Sequence, residues 1–269
     1  MRISHRPFWF SAALAVAAFA AMGSPAPLSA ETLQPAAKVP CGAPADVTRL
    51  DQPLPRTARK LAGGEELKIV AIGSSSTAGA GASSPAMSYP SRLAVELQQL
   101  FPGHPITVVN RGINGEEARE MLARLDESVI SEKPDLVLWQ VSTNSVLRDH
   151  PIAPAGALIE EGLARMKQAG ADVILIDPQF APKVIAKPDA EGMVKLIAAA
   201  AKRGSVVVFH RFAAMRYWRE KAAIPFETFI SPDELHMNDW SYGCVAKLLA
   251  GSIADAATRG TVTATAVAR

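Results

Sequence analysis

From Leu67 onward, short, mainly apolar runs alternate with stretches in which apolar residues recur every three or four positions. The runs Leu67 to Ile72, Ile106 to Val109, Asp135 to Val141, Asp172 to Ile176 and Val206 to Phe209 predict five strands. Because the stretches between them read as helices, the strands are expected to lie parallel in one sheet. Tyr89, Leu93, Leu97 and Leu100 line one side of the first helix, and Pro90 sits in its opening turn, where a missing N–H costs little. Ala118, Met121, Leu122, Leu125 and Val129 mark a second helix, opened by Glu116 and Glu117 against the positive helix end and stopped by Pro134. A third spans about residues 154–169 and stops at Gly170, and a fourth runs from Asp189, an expected N-cap, to Lys202. The last begins near Asp239, with Trp240, Cys244 and Leu248 on one line of its surface and Val245, Leu249 and Ile253 on the next.

The segments before and after this pattern read differently. Residues 1–30 resemble a secretory signal: Arg2, His5 and Arg6 open it, Phe8 to Met22 are apolar, and Leu28-Ser29-Ala30 form a cleavage site. That apolar run is shorter than the roughly 20 residues a membrane span needs, so no stable membrane insertion is expected after signal removal. Residues 31–66 contain Pro35, Pro40, Pro44, Pro53 and Pro55 with little periodicity and predict an arm lying on the domain surface. Residues 67–257 then form the folded domain and 258–269 a C-terminal tail.

Removing the signal changes the charge. It holds two of the 28 Lys and Arg and none of the 26 Asp and Glu, leaving 26 of each and a formal net charge of zero. No basic excess remains to drive nucleic-acid binding. Export into an oxidising compartment predicts a disulfide between the two cysteines, Cys41 and Cys244; the alternative is two buried thiols.

The chemistry gathers at strand ends. The first strand runs into Gly73-Ser74-Ser75-Ser76-Thr77, placing hydroxyls at the carboxyl edge, where open α/β sheets bind their ligands. A serine there is unreactive without a base, an orienting acid and oxyanion donors. His104 and His150 lie in Pro-flanked loops and read as solvated; His210 follows the fifth strand, but its neighbours Phe209, Arg211 and Phe212 offer it no carboxylate. His236 differs, because Asp233 precedes it by three residues and one tight turn joins such a pair. Gly115 ends the turn after the second strand, and Asn144 follows the third in Gln140-Val141-Ser142-Thr143-Asn144-Ser145; both are candidate oxyanion donors. Alone, Gly115 reads equally well as a tight turn, and Asn144 reads better as a cap. Arg111, Arg148 and Arg211 also follow strand ends and read as solvated surface residues. Gly73, Gly79 and Gly81 lack the spacing of a phosphate-binding loop, and the scattered Cys and His show no metal-ligand spacing.

Serine, glycine and asparagine after strands one to three, with Asp-x-x-His before the last helix, resemble the SGNH, or GDSL-type, hydrolase family over about Leu67 to Ala250. The resemblance implies an α/β fold, a three-layer α/β/α sandwich of flavodoxin-like type with a five-stranded parallel sheet. It implies Ser75 as nucleophile, His236 as general base, Asp233 as its orienting partner, and an oxyanion hole of Ser75, Gly115 and Asn144, with no cofactor and no metal. Two positions depart from the family pattern: Ser74 stands where aspartate is usual, and the usual Gly-x-Asn-Asp reads Ser142-Thr143-Asn144-Ser145. The expected protein is an exported serine esterase, periplasmic or secreted, acting on a small-molecule or glycan ester through an acyl-enzyme, with O-acetylated polysaccharide the first substrate. The alternatives are a lipid, aryl-ester or thioester hydrolase of the same mechanism, or a catalytically weak glycan-binding module.

Overall fold

The apolar runs become strands β1 (Leu67–Gly73), β2 (Ile106–Gly112), β3 (Leu136–Gln140), β4 (Asp172–Ile176) and β5 (Val207–Phe209) in the computed structural model, which describes residues 39–267, and side chains through residue 259. They form one sheet in the order β2-β1-β3-β4-β5, every neighbouring pair parallel. This is the flavodoxin-like order, which leaves a crevice at the carboxyl ends of β1 and β3, where the winding reverses. Every residue of β3 is buried, the apolar Leu136 to Trp139 and the polar Gln140 alike, whereas β2 at the sheet edge is partly exposed. β2 also extends past the expected Val109, since backbone pairing continues until Gly73 meets Gly112.

The first helices in chain order are α1 (Ala45–Thr48), α2 (Pro55–Gly63), α3 (Ser75–Ala78), α4 (Tyr89–Leu100), α5 (Ala118–Ala123), α6 (Leu125–Ser128) and α7 (Thr143–Leu147). They are followed by α8 (Ala153–Gln168), α9 (Pro182–Ile185), α10 (Ala190–Gly204), α11 (Arg211–Glu220), α12 (Phe226–Phe229) and α13 (Asp239–Val267). Helices α2, α4 and α13 pack together, as do α5, α8 and α10, and the sheet between them completes a three-layer α/β/α sandwich. Trp139 of β3 anchors the second of these layers, donating its indole N–H to Met121 Sδ at 3.2 Å and packing over Gly162 of α8.

Several expectations change. The second helix is broken: Arg124 leaves the helical region at φ −107° and ψ 8°. Its guanidinium reaches back to both Glu116 carboxylate oxygens at 2.9 Å from Nε and to the Arg111 carbonyl at 2.8 Å. The apolar face nevertheless stays buried at Met121, Leu125 and Val129. Asp189 occupies the N-cap position of α10, but its side chain accepts no capping hydrogen bond.

The proline-rich segment is more than a surface arm. Leu50 and Leu54 are core residues, each worth about 1.5–3 kcal/mol of burial. Asp172 accepts from the Thr57 amide and hydroxyl at 2.8 and 2.9 Å, and Arg56 Nε donates to the buried Asp135 at 2.8 Å, which pins α2 to the amino edge of the sheet. At the other end, α13 continues to Val267, through most of the expected tail. The described residues form one compact unit, and the expected signal, residues 1–30, lies outside them with the start of the arm. Among the described residues, no helix is long and apolar enough to cross a membrane.

Candidate active site

The turn at the end of β1 puts Ser75 at the first position of α3, half-buried, while Ser74 and Ser76 are buried beside it. His236 arrives from the loop before α13, and its Nε2 lies 2.8 Å from Ser75 Oγ. Its other ring nitrogen, Nδ1, lies 2.5 Å from Asp233 Oδ2. The three-residue spacing works because Asp233 Oδ1 also accepts the Leu235 and His236 amides at 3.0 and 2.9 Å, so one carboxylate both shapes the turn and orients the ring. Partial desolvation acts to raise the Asp233 carboxyl, but the hydrogen bonds from His236 and the two amides outweigh it and hold the group below its ordinary range.

Loop packing keeps the histidine in place. The Ser231 amide donates to the His236 carbonyl at 2.8 Å, and Ile230 bridges to Met237. Gly81 lies directly against this loop at φ +88°, and a Cβ there would come within 2.3 Å of the Met237 carbonyl and 2.9 Å of His236 Cβ. Tyr242 of α13 donates to the Ala80 carbonyl at 2.6 Å, and Asp239 accepts from the Ser83 amide and hydroxyl at 2.8 and 2.5 Å. The loop after Ser75 is thereby tied to the element that follows His236.

Gly115 takes the left-handed conformation at φ +81°, open to glycine without strain. Asn144 is buried in α7 and donates Nδ2 to the Glu116 carbonyl at 2.8 Å, joining the ends of β3 and β2. One of the two hydrogens on that nitrogen remains for another acceptor. The end of β2 meets the Ser75 loop through Ile113 N to Gly73 O at 2.9 Å and Asn110 Nδ2 to Thr77 O at 2.8 Å. Ser75, His236 and Asp233 are thus in direct contact, with Gly115 and Asn144 on the two strand ends flanking β1.

Beneath the site runs a buried polar network that sequence reasoning missed. Gln140 Oε1 accepts from the Ser74 amide and hydroxyl at 2.9 and 3.0 Å and from Thr77 at 3.3 Å. Gln179 bonds Thr143 at 3.2 Å and donates to the Leu235 carbonyl beside His236 at 3.3 Å. Arg211, expected to be solvated, is fully buried: it donates to the Asp177 carbonyl at 2.9 Å and to Gln179 at 3.1 Å. Burial pushes its guanidinium down, with Asp177 opposing, and pushes the Tyr89 hydroxyl up to about 12. His210 also differs from expectation. Asp177, arriving from the adjacent strand β4, stands 3.5 Å from its Nδ1 and raises its pKa.

The two departures from the family pattern have visible consequences. Ser74 uses its hydroxyl on Gln140, where an aspartate would bring charge. Ser142 adopts φ +74°, ψ 1°, with its hydroxyl buried and unpaired. Cys41 and Cys244 are bonded. Beside the His236 loop a cavity of about 590 Å³ opens, lined by Gly81, Pro182, Phe226, Ile230, Ser231 and Glu234 among others. Among the described residues, no three His, Cys, Asp or Glu side chains converge as metal ligands.

A model of the Non-GDSL lipase-like family matches residues 40–259. That description is distinct from the GDSL type implied by the motif blocks, and Ser74 stands where the Gly-Asp-Ser block has its aspartate. An acetylxylan esterase of Geobacillus stearothermophilus is 41% identical over 56 residues, 21% of this chain and 26% of that protein. An arylesterase of Vibrio mimicus is 32% identical over 95 residues, 35% of this chain and 46% of that protein. The chain therefore matches less than half the length of either curated relative. Among solved structures, an acetylxylan esterase from Geobacillus stearothermophilus superposes with TM-score 0.59 at 21% identity, covering 70% of this chain and 94% of that one. A two-domain esterase active on acetylated mannans gives TM-score 0.66 at 21% identity over 78% of this chain and 56% of that one. At such identities the likeness establishes the fold.

Proposed function

The chain belongs to the Non-GDSL lipase-like family, and on that premise we propose that it is an exported serine esterase that removes acetyl groups from a polysaccharide. The observation that carries this reading is the relay from Ser75 Oγ to His236 Nε2 at 2.8 Å, and from His236 Nδ1 to Asp233 at 2.5 Å. Ser75 Oγ attacks the ester carbonyl carbon while His236 Nε2 takes the hydroxyl proton, and Asp233 stabilises the imidazolium without itself being protonated. The negative charge that develops on the carbonyl oxygen faces the Ser75 and Gly115 amides and the remaining Asn144 hydrogen. Collapse expels the alcohol, which leaves with the proton from His236. Water then attacks the acyl-serine, His236 accepts its proton and returns it to Ser75 Oγ, and the free acid departs. In this reading the four sequence blocks act as they do in the SGNH hydrolases they resemble.

A cavity of about 590 Å³ adjoins the His236 loop, a size that holds a small ligand, and the solved structures favour a polysaccharide acetate. Two similar solved structures are esterases named for acetylated xylan and acetylated mannan. Export is supported by the signal-like residues 1–30 and by the Cys41–Cys244 bond. The test is acetate release from acetylated xylan and mannan, alongside hydrolysis of an activated acetate ester. We expect both activities in the purified chain and neither in Ser75→Ala or His236→Ala. Full activity in a folded Ser75→Ala variant excludes the mechanism. Turnover of long-chain or aryl esters in preference to acetylated glycan excludes the substrate assignment.

A further inference from the structure

Glu117 lies two residues beyond Gly115, with its side chain 17% exposed, and accepts three donors from the other side of the site. Its Oε2 receives Ser145 Oγ at 2.7 Å and His150 Nδ1 at 3.1 Å, and its Oε1 receives Arg148 Nη1 at 2.5 Å. Arg148 then returns to the β2 side, donating Nη2 to the Gly115 carbonyl at 2.9 Å. Asn144 crosses the same gap to the Glu116 carbonyl at 2.8 Å. In the sheet order β2-β1-β3, these ends are not neighbours, and β1, which leads into Ser75, runs between them. The bonds therefore form a bridge from β2 to β3 around the nucleophile loop.

We propose that Glu117 is a positioning residue for the oxyanion hole: it holds Arg148 on the Gly115 carbonyl and Ser145 beside Asn144, and so fixes where both donors point. This rests on the reading of Ser75 as nucleophile and of Gly115 and Asn144 as donors. Glycine's own freedom makes the clamp necessary, because at φ +81° the Gly115 peptide has other accessible conformations of similar energy. Tying its carbonyl to a guanidinium that is itself tied to Glu117 removes them. Desolvation acts to raise the Glu117 carboxyl, but the bonds from Arg148, Ser145 and His150 outweigh it and lower its pKa, keeping the bridge charged in neutral solution. The simpler alternative is that Glu117 only caps α5, where it forms a capping box with Glu120.

Glu117→Gln distinguishes the two. It keeps the side-chain volume and one acceptor oxygen for the cap, but turns the second acceptor into a donor facing Arg148, Ser145 or His150. Positioning predicts that kcat on an activated acetate ester falls about tenfold to a hundredfold per titrated active site, with KM within about twofold. It further predicts that a methyl trifluoromethyl ketone, whose hemiketal oxyanion occupies the same place, loses affinity by a similar factor. In an Asn144→Ala background the same substitution should cost clearly less than it does alone, because the two act on shared geometry. Unchanged kcat and ketone affinity per active site, or fully multiplicative effects, overturn the proposal even if the melting temperature drops. Should Glu117→Gln not fold, Arg148→Met carries the same expectations. The outcomes are separable from the underlying reading: an active Ser75→Ala variant refutes the esterase mechanism, whereas an inactive Ser75→Ala with a fully active Glu117→Gln refutes only the role of Glu117.

Discussion

Removing the Cys41–Cys244 bond is expected to cost a large part of the protein's stability. The two residues are 203 apart in sequence, so the bond closes nearly the whole folded chain into a loop. For a loop of this length the chain-entropy model gives about 5 kcal/mol at 25 °C, against a total stability of about 5–15 kcal/mol for a typical domain. The loss acts through the unfolded state, because the native contacts at the junction do not require the bond. Trp218 Nε1 donates to the Gly42 carbonyl at 2.8 Å and Trp240 Nε1 to the Val39 carbonyl at 3.3 Å, while Cys244 is buried in α13. A Cys41→Ala/Cys244→Ala variant should therefore keep the native circular dichroism spectrum yet melt about 10–20 °C lower. Guanidinium unfolding of both proteins, without reductant, gives the free-energy difference. A melting temperature within about 3 °C of the parent would refute the reasoning, since it would mean that the unfolded chain gains almost no freedom when the loop is opened.

Ser142→Gly should stabilise the fold by about 1 kcal/mol, because it relieves a left-handed serine at φ +74° and removes an unpaired buried hydroxyl, less the extra freedom glycine has when unfolded; thermal melting checks this. Gly81→Ala should lower stability by about 1–3 kcal/mol and reduce kcat, since its Cβ would press on Met237 and His236, as melting and steady-state kinetics will show. The Asp233 carboxyl has a lower pKa folded than unfolded, so the stability it contributes is complete above the ordinary carboxylate pKa of about 4 and is lost as pH falls through the lower folded value. Asp233→Asn should therefore flatten the acid side of the stability profile, measured by denaturant midpoints across pH.

The apolar runs within Leu67 to Ile72 and Asp172 to Ile176 identify strands because a parallel sheet covered on both faces asks for that pattern and little else. The placement of Ser75 and of the Asp233–His236 pair, whatever their roles, was legible for a related reason: one marks a strand end, and the other is a local turn whose geometry depends on three residues. The buried network of Gln140, Gln179 and Arg211 was not, because its partners come from different strand ends and no local period distinguishes a buried glutamine from a solvated one. His210 shows the same limit, since its carboxylate partner arrives from β4 rather than from its sequence neighbours. Prolines hid the packing of α2, although Pro55 opens that helix and Asp172, at the start of β4, accepts the Thr57 amide in its first turn. The break at Arg124 was equally invisible, because the apolar spacing of the second helix persists through it.

The most direct measurement is the site and rate of labelling by a fluorophosphonate, which reports nucleophile, base and oxyanion donors in one reaction. The wild-type chain should gain one adduct, mapped by peptide mass to Ser75, with none in Ser75→Ala and labelling slowed about a hundredfold or more in His236→Ala. An adduct on Ser74 or Ser76, or labelling of Ser75 that proceeds at the wild-type rate without His236, would contradict the account.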